Sequence, residues 1–260
     1  MSANLFFGVF GLKLTTLKAY DKYLSSLAEI ADLRSRWNRA NVALLCSGAT
    51  KAHSAHVRSQ SQLGQEMFAL YANGFETNRF FVEFGAVDGV NLSNTLVLES
   101  VYGWKGILAE PNASFSRELR SNRSARVDTR AVTGFSGADI EFLEAGLNSS
   151  TFATRNMNRW GAAKPSYSVK TVSLQDLLRE HNAPDQIGFL SIDTEGSEFE
   201  ALSSVDFDYF RFSAIAIEHN GKDAQIQELM AKHGYSQVLK RFSAYDLWFV
   251  PAANPYHLPA

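Results

Sequence analysis

Four short, unbroken apolar runs constrain this chain more than any other feature, because each one ends on an acid. Phe80-Phe81-Val82 runs into Glu83, Gly106-Ile107-Leu108-Ala109 into Glu110, residues 187–192 into Asp193, and Ala214-Ile215-Ala216-Ile217 into Glu218. Strands that are apolar at every position are buried on both faces, and such strands belong to parallel sheets. Helical patterns fit between them over residues 93–102, 114–121, 174–181, 198–204 and 223–233. This alternation predicts a doubly wound α/β domain. Residues 236–241 and 245–250 follow one another across a short turn, which predicts an antiparallel hairpin at the sheet edge. Ligands of open parallel sheets bind outside the carboxyl ends of the strands, so acids at four strand ends should line one crevice.

Upstream the texture differs. Across residues 13–45 apolar positions such as Leu14, Leu17, Leu24, Leu27 and Ala31 recur at three- and four-residue steps, giving one long amphipathic helix or two short ones. The polar stretch 47–61 reads as a linker or lid, and residues 62–71 as a further helix. The division expected is a helical N-terminal region over 1–78, serving as a cap or an oligomerisation arm, and the α/β domain over 79–260.

Charge and cysteine content narrow the partners. A formal net charge of −2 lacks the broad basic footprint of a nucleic-acid-binding protein. One basic run over residues 117–130 reads as a solvated helix face, able at most to hold an anionic group. Cys46 is the only cysteine, which rules out an intramolecular disulfide and a CxxC zinc site and suits a reducing cytoplasm. The apolar stretch 5–12 is too short to cross a bilayer, so no transmembrane segment is expected.

The first strand-end turn, Glu83-Phe84-Gly85-Ala86-Val87-Asp88-Gly89, lacks the third glycine of a dinucleotide fingerprint and carries an acid where a pyrophosphate would sit. A cationic or zwitterionic cofactor such as S-adenosylmethionine fits that charge better. Glu110, 27 residues beyond Glu83, stands where a carboxylate accepts both ribose hydroxyls, and Pro111 is placed to pack on adenine or simply to start a helix.

Read together, residues 61–66, 81–89 and 103–112, Ile192-Asp193-Thr194-Glu195-Gly196 with Glu198, and Ile217-Glu218-His219-Asn220 resemble the FkbM family of methyltransferases in order and spacing over roughly residues 60–250. The family's first turn usually has Asn where this chain has Val87. The resemblance implies a Rossmann-like class I methyltransferase fold, mostly parallel with an antiparallel C-terminal edge strand, S-adenosylmethionine as donor, and O-methylation of a sugar, glycan or related natural product. The cofactor contacts it implies are Glu83, Gly85, Ala86, Asp88, Gly89, Ser93, Asn94, Glu110, Pro111, Asn112, Ala131 and Asp193.

A hydroxyl must lose its proton as the methyl bond forms. Asp193, Glu195, Glu218 and His219 are the catalytic candidates, with His219 as general base because neutral imidazole accepts a proton near neutral pH. Asp193, Glu218 and Asn220 form the alternative, a magnesium-like site of hard oxygen ligands. The stretch Asn148-Ser149-Ser150-Thr151, with Arg155, Asn158, Arg159 and Trp160, reads as an acceptor lid or an ordinary surface loop. N-methylation on the same fold, or non-catalytic adenosine binding, are the competing functions.

Overall fold

The computed structural model describes residues 59–143, the backbone of 150–151, and residues 166–254. The helical pattern over 13–45, the apolar stretch 5–12, Cys46, and Asn148, Ser149, Arg155, Asn158, Arg159 and Trp160 lie outside the described residues. Within them the chain runs through α1 (Gln65–Ala72), β1 (Phe80–Phe84), α2 (Leu96–Ser100), β2 (Lys105–Ala109), α3 (Ser116–Asn122) and β3 (Arg126–Asp128). An insertion follows, comprising β4 (Ala131–Thr133), β5 (Asp139–Leu143), β6 (Ser150–Thr151) and β7 (Ser166–Ser173). The remainder is α4 (Leu174–Glu180), β8 (Gln186–Ile187), β9 (Phe189–Ile192), α5 (Glu198–Ser203), β10 (Arg211–Phe212), β11 (Ile215–Glu218), α6 (Asp223–Lys232), β12 (Tyr235–Val238) and β13 (Asp246–Pro251).

Seven strands make the central sheet in the order β12-β13-β11-β9-β1-β2-β3. Strands β3, β2, β1, β9 and β11 are mutually parallel, and β13 alone runs against them between β11 and β12. This is the expected Rossmann-like class I methyltransferase sheet. The predicted hairpin closes one edge, with β12 outermost and the antiparallel strand second from the edge.

Why the strands are apolar throughout is visible in their packing. Phe81, Leu108, Phe189, Ala216 and Trp248 face a core shared with α1, α2 and α3, whereas their neighbours Val82, Ile107, Leu190, Ile217 and Phe249 face a second core shared with α4, α5 and α6. Each strand therefore buries both faces. Helix α1 belongs to the first core, with Phe68 stacked on Trp248 at 4.9 Å between ring centroids and edge-on to Phe189 at 6.4 Å. The run predicted as one strand over 187–192 is interrupted at Gly188, whose N–H donates to Phe80 O and whose carbonyl accepts from Asn73 Nδ2. The segment before it, β8, pairs instead with β10.

Two features depart from expectation. The insertion forms a second sheet, β4-β7-β5-β6, packed by Ala131, Phe142 and Val169, which the sequence pattern does not predict. Three-residue β4 carries no readable period, although the alternation of Tyr167, Val169 and Thr171 marks β7. The basic run is the second departure. Arg123 is not on a solvated face: it is 5% exposed and donates to Gly89 O, Ser93 Oγ and Thr95 Oγ1 of the β1–α2 connection and to Glu99 Oε2 of α2.

An acidic cleft at the strand ends as candidate functional site

In the chain's course β1 leads to β2 and β3 on one side, and the sequence later returns through β9 and β11 on the other. Such a reversal opens a crevice at the carboxyl ends of the strands. A cleft of about 370 Å³ lies there, lined from β1 by Glu83, Phe84 and Gly85, from β2 by Ala109 and Glu110, from β9 by Ser191 to Glu195, and from β11 by Glu218. The four strand-end acids inferred from sequence therefore share one cavity. Three of the loops leaving these strands hold a non-glycine residue in the left-handed region: Val87 (φ 50°), Glu195 (φ 58°) and Asn220 (φ 43°). Backbone held in this sparsely populated region persists only when its surroundings over-determine it, and it clusters at functional sites.

On the β1–β2 side the glycine turn is a close-approach device. Gly85 has φ +75°, and a Cβ built there would lie 2.2 Å from Asp193 O. Gly89 serves packing rather than the cleft, since a Cβ there would meet Arg123 Cγ and Leu119 Cδ1. Glu110 is 5% exposed; Val87 N–H donates to its Oε2 at 2.9 Å and Asn112 N–H to its Oε1 at 2.8 Å. One donor on each oxygen leaves further lone pairs directed at the cleft. Burial pushes this carboxyl above its ordinary range. Pro111, Phe115, Ala131, Val132 and Phe142 supply an apolar wall beside it, and Tyr167 ties the insertion to that wall by accepting from Ala113 N–H and donating to Pro111 O.

Several residues expected at the cofactor support it from behind. Glu83 lines the cleft, yet its carboxylate accepts from Asn94 N–H at 2.7 Å, from Ser93 Oγ at 3.1 Å and from Thr95 Oγ1, with the Arg123 guanidinium 3.7 Å away. Its task is to hold the 93–95 loop, from which Asn94 reaches Ser191 Oγ. Asp88 does not line the cleft: Oδ1 accepts from Val90 and Asn91 N–H, so its charge caps its own turn and does not select against phosphate as the sequence suggested. Ala86, Ser93 and Asn112 are buried beneath the surface, Asn112 capping the following turn through Ser114.

The floor is acidic. Asp193, Glu195 and Glu218 bring carboxylate oxygens within 4.8 Å of one another. Asp193 is exposed to the cleft, yet the protein surrounding it, then the charge and hydrogen bond of Glu218 and the like charges of Glu195 and Asp246, push its carboxyl well above its ordinary range. Asn220 stands beside this cluster, its Nδ2 donating to Glu198 Oε1 at 3.0 Å and Glu218 Oε2 at 3.2 Å. Asp193 and Glu218, two of the three residues expected to hold a divalent ion, thus stand with Glu195 in a cluster that could hold one, although such carboxylate clusters are also common without a metal. His219 is turned away. It is not among the residues lining the cleft, and its Nδ1 lies 2.5 Å from Asp223 Oδ1 at the start of α6. An i,i+4 partner on the following helix has captured the imidazole expected to be the base.

Sequence reasoning missed the wall opposite Glu110. Gln62, Gln65, Tyr245 and Asp246 line the cleft there. Asp246 is 6% exposed, accepts at Oδ2 from Gln65 Nε2 (2.9 Å) and Trp248 Nε1 (3.0 Å), and is pushed up to about 6 by burial. A signal existed. In an antiparallel strand the first residue, not the last, lies at the edge where parallel strands end, and Asp246 opens β13 directly opposite Glu218.

Among solved structures, the chain is similar to precorrin-6y C5,15-methyltransferase from Geobacter metallireducens GS-15 (12% identity, TM-score 0.38, covering 74% of this chain and 88% of that one). It is also similar to the methyltransferase FkbM from Methylobacillus flagellatus KT (11% identity, TM-score 0.41), where the match covers 84% of this chain and 59% of that one, under two thirds of its length. No curated protein matches in sequence. The family model of the methyltransferase FkbM domain matches residues 83–237, more than half of the 260 residues. This chain belongs to the FkbM methyltransferase family. Membership makes it a member of an S-adenosylmethionine-dependent methyltransferase family. The cleft of this FkbM protein combines the buried carboxylate of Glu110, an apolar wall and a cluster of acids. No helix among the described residues is long and apolar enough to cross a membrane.

Proposed function

We propose that this FkbM protein transfers a methyl group to a hydroxyl oxygen of a sugar, glycan or related small molecule. One observation carries the reading: Asp193, Glu195 and Glu218 converge on the cleft floor, across from Glu110. Bound S-adenosylmethionine supplies an electrophilic methyl on a sulfonium, which an oxygen nucleophile takes in line. Glu110 would hold the ribose hydroxyls. Asp193 and Glu218 then share the remaining task. Its surroundings and its like-charged neighbours raise the proton affinity of the Asp193 carboxyl, so its ionised oxygen receives the hydroxyl proton while Glu218 stabilises the protonated form. An amine acceptor already carries a usable lone pair and would not need this pair.

Residues 79–260 form the catalytic unit in this reading, with α1 contributing Gln65 to the cleft from upstream; the N-terminal region serves as cap or oligomerisation arm. A reducing cytoplasm remains the proposed setting, on the single Cys46.

The test is tritiated-methyl transfer from S-adenosylmethionine to hydroxylated and amine acceptors. Asp193→Asn should lower turnover on a hydroxyl by roughly 10²–10⁴-fold while leaving S-adenosylhomocysteine binding within a few-fold. Glu110→Ala should instead weaken cofactor binding by about 1.5–3 kcal/mol, the worth of hydrogen bonds to a charged acceptor. Full turnover in Asp193→Asn, or transfer confined to amines, would overturn the hydroxyl assignment.

A further inference from the structure

Glu198 opens α5 and does not line the cleft, yet it is fully buried behind the acidic floor. Its Oε1 collects donors from two loops. Thr194 N–H at 3.2 Å, Thr194 Oγ1 at 3.0 Å and Gly196 N–H at 2.7 Å come from the loop after β9, and Asn220 Nδ2 at 3.0 Å comes from the loop after β11. A carboxylate oxygen has two lone pairs, so four donors converging on one make it a shared anchor for both loops. The turn it holds includes Glu195 at φ 58°, a conformation that persists only when its surroundings over-determine it. Asn220 carries the anchor onward. Its Nδ2 has two hydrogens, and the second partner is Glu218 Oε2 at 3.2 Å. Glu198 thus holds the backbone that follows Asp193 and carries Glu195, and through one amide it also reaches Glu218, the third acid of the floor. Lys222 Nζ, donating to Gly196 O at 3.0 Å, ties the same two loops independently.

We propose that Glu198 and Asn220 are positioning residues for methyl transfer: Glu198 sets the Thr194-Glu195-Gly196 turn and, through the Asn220 amide, fixes the Glu218 carboxylate against Asp193. This rests on the assignment of Asp193 and Glu218 to the hydroxyl proton made above. A proton acceptor works only within hydrogen-bond reach of the group it serves, and a displacement of about 1 Å costs on the order of 10²-fold in rate. The loop after β9 and the loop after β11 are joined to different helices, so their separation needs a common fixed point, and the buried Oε1 of Glu198 supplies it. Asn220 acts here as a donor through Nδ2. As a ligand to a cation it would act through its oxygen, and the two roles respond oppositely to substitution by aspartate.

The experiment compares tritiated-methyl transfer to a hydroxylated acceptor, with magnesium present, and S-adenosylhomocysteine calorimetry across variants of both residues, with Asp193→Asn as reference. Asn220 is exposed, so its replacement spares the core. Asn220→Ala should lower kcat roughly 10- to 100-fold, with acceptor KM and S-adenosylhomocysteine affinity within about threefold. Asn220→Asp loses both donors and sets a further carboxylate between Glu198 and Glu218, so it should be slower still. Glu198→Asp, which withdraws the anchoring oxygen by one methylene, should reproduce the fall in kcat, and Glu198→Gln, which keeps an oxygen in place, should recover most of it. Wild-type kcat in Asn220→Ala, a loss confined to S-adenosylhomocysteine affinity, or faster turnover in Asn220→Asp than in Asn220→Ala would overturn the positioning role while an impaired Asp193→Asn leaves the proton assignment standing. Full turnover in Asp193→Asn would overturn that assignment and this proposal with it.

Discussion

Val87 follows Gly85 by two residues, and its φ of 50° is a conformation that a β-branched side chain adopts only under constraint. The constraint is its own N–H, which must reach Glu110 Oε2 for the acid to stay aimed at the cleft. Left-handed backbone costs an ordinary residue roughly 1–2 kcal/mol, less for Asn, whose short polar side chain bonds locally. Val87→Asn, the residue the resemblance leads one to expect here, should therefore stabilise the protein by about 1 kcal/mol in urea denaturation. Cofactor affinity should be retained, because the contact to Glu110 is made by the backbone. A loss of stability would mean that the valine side chain packs in a way that outweighs its strain.

At the scale of the element, the connection from β1 to α2 is held not by regular structure but by Arg123 from just beyond α3. Its guanidinium donates to Gly89 O at 3.0 Å, Ser93 Oγ at 3.0 Å, Thr95 Oγ1 at 2.9 Å and Glu99 Oε2 at 2.9 Å, and its Cζ lies 5.5 Å from the centroid of the Phe81 ring. A planar fork with several donors satisfies partners in different directions, which a lysine cannot do. Removing it would leave Glu83 and Glu99 without their buried counter-charge. Arg123→Ala should cost about 3–5 kcal/mol, the usual penalty for breaking a buried pair from one side. Arg123→Lys should recover only part of that. Both variants should also weaken S-adenosylhomocysteine binding, because the loop carrying Asn94 would lose its support; wild-type affinity in a folded Arg123→Lys protein would contradict this.

Over the whole molecule, two groups of acids pull stability in opposite directions with pH. Asp128 is lowered to about 2 by hydrogen bonds from Arg130 and His181 that outweigh its burial. A depressed value means stabilisation that is present above the ordinary 3.8 and lost as pH falls toward 2, about 2 kcal/mol in all. The cleft acids act the other way. Asp246, raised to about 6, prefers its protonated form in the folded state, so the cost of ionising it appears as pH rises from about 4 through 6. At about 1.4 kcal/mol per unit, this amounts to roughly 3 kcal/mol by neutral pH, and the buried carboxyls Glu66, Glu83 and Glu110 are shifted in the same direction. Thermal unfolding should thus show a higher midpoint near pH 5 than near pH 8 and a steep fall below about pH 3.5. Asp246→Asn should flatten the alkaline side; an unchanged slope between pH 5 and 8 would remove Asp246 from the account.

The sequence by itself determined the sheet, its parallel core and the edge at which ligands bind. Phe80 to Val82 and Ile215 to Ile217 can only be apolar throughout if helices cover both faces, and an acid ending each such run must emerge at the same rim. These are consequences of period and connection, which are local along the chain. Tertiary structure alone decided which side chains face the cleft. His219 and Glu218 are adjacent in sequence, yet Glu218 points to the floor and His219 to Asp223, because successive strand residues diverge and a helix begins four residues on. Asp246 lies 28 residues beyond Glu218 and is brought opposite it only by the register of β13 against β11, while Arg123 reads as a surface charge until α3 folds against the β1–α2 loop. Orientation and long-range pairing depend on which surfaces meet in space, and hydrophobic period along one segment carries no record of that.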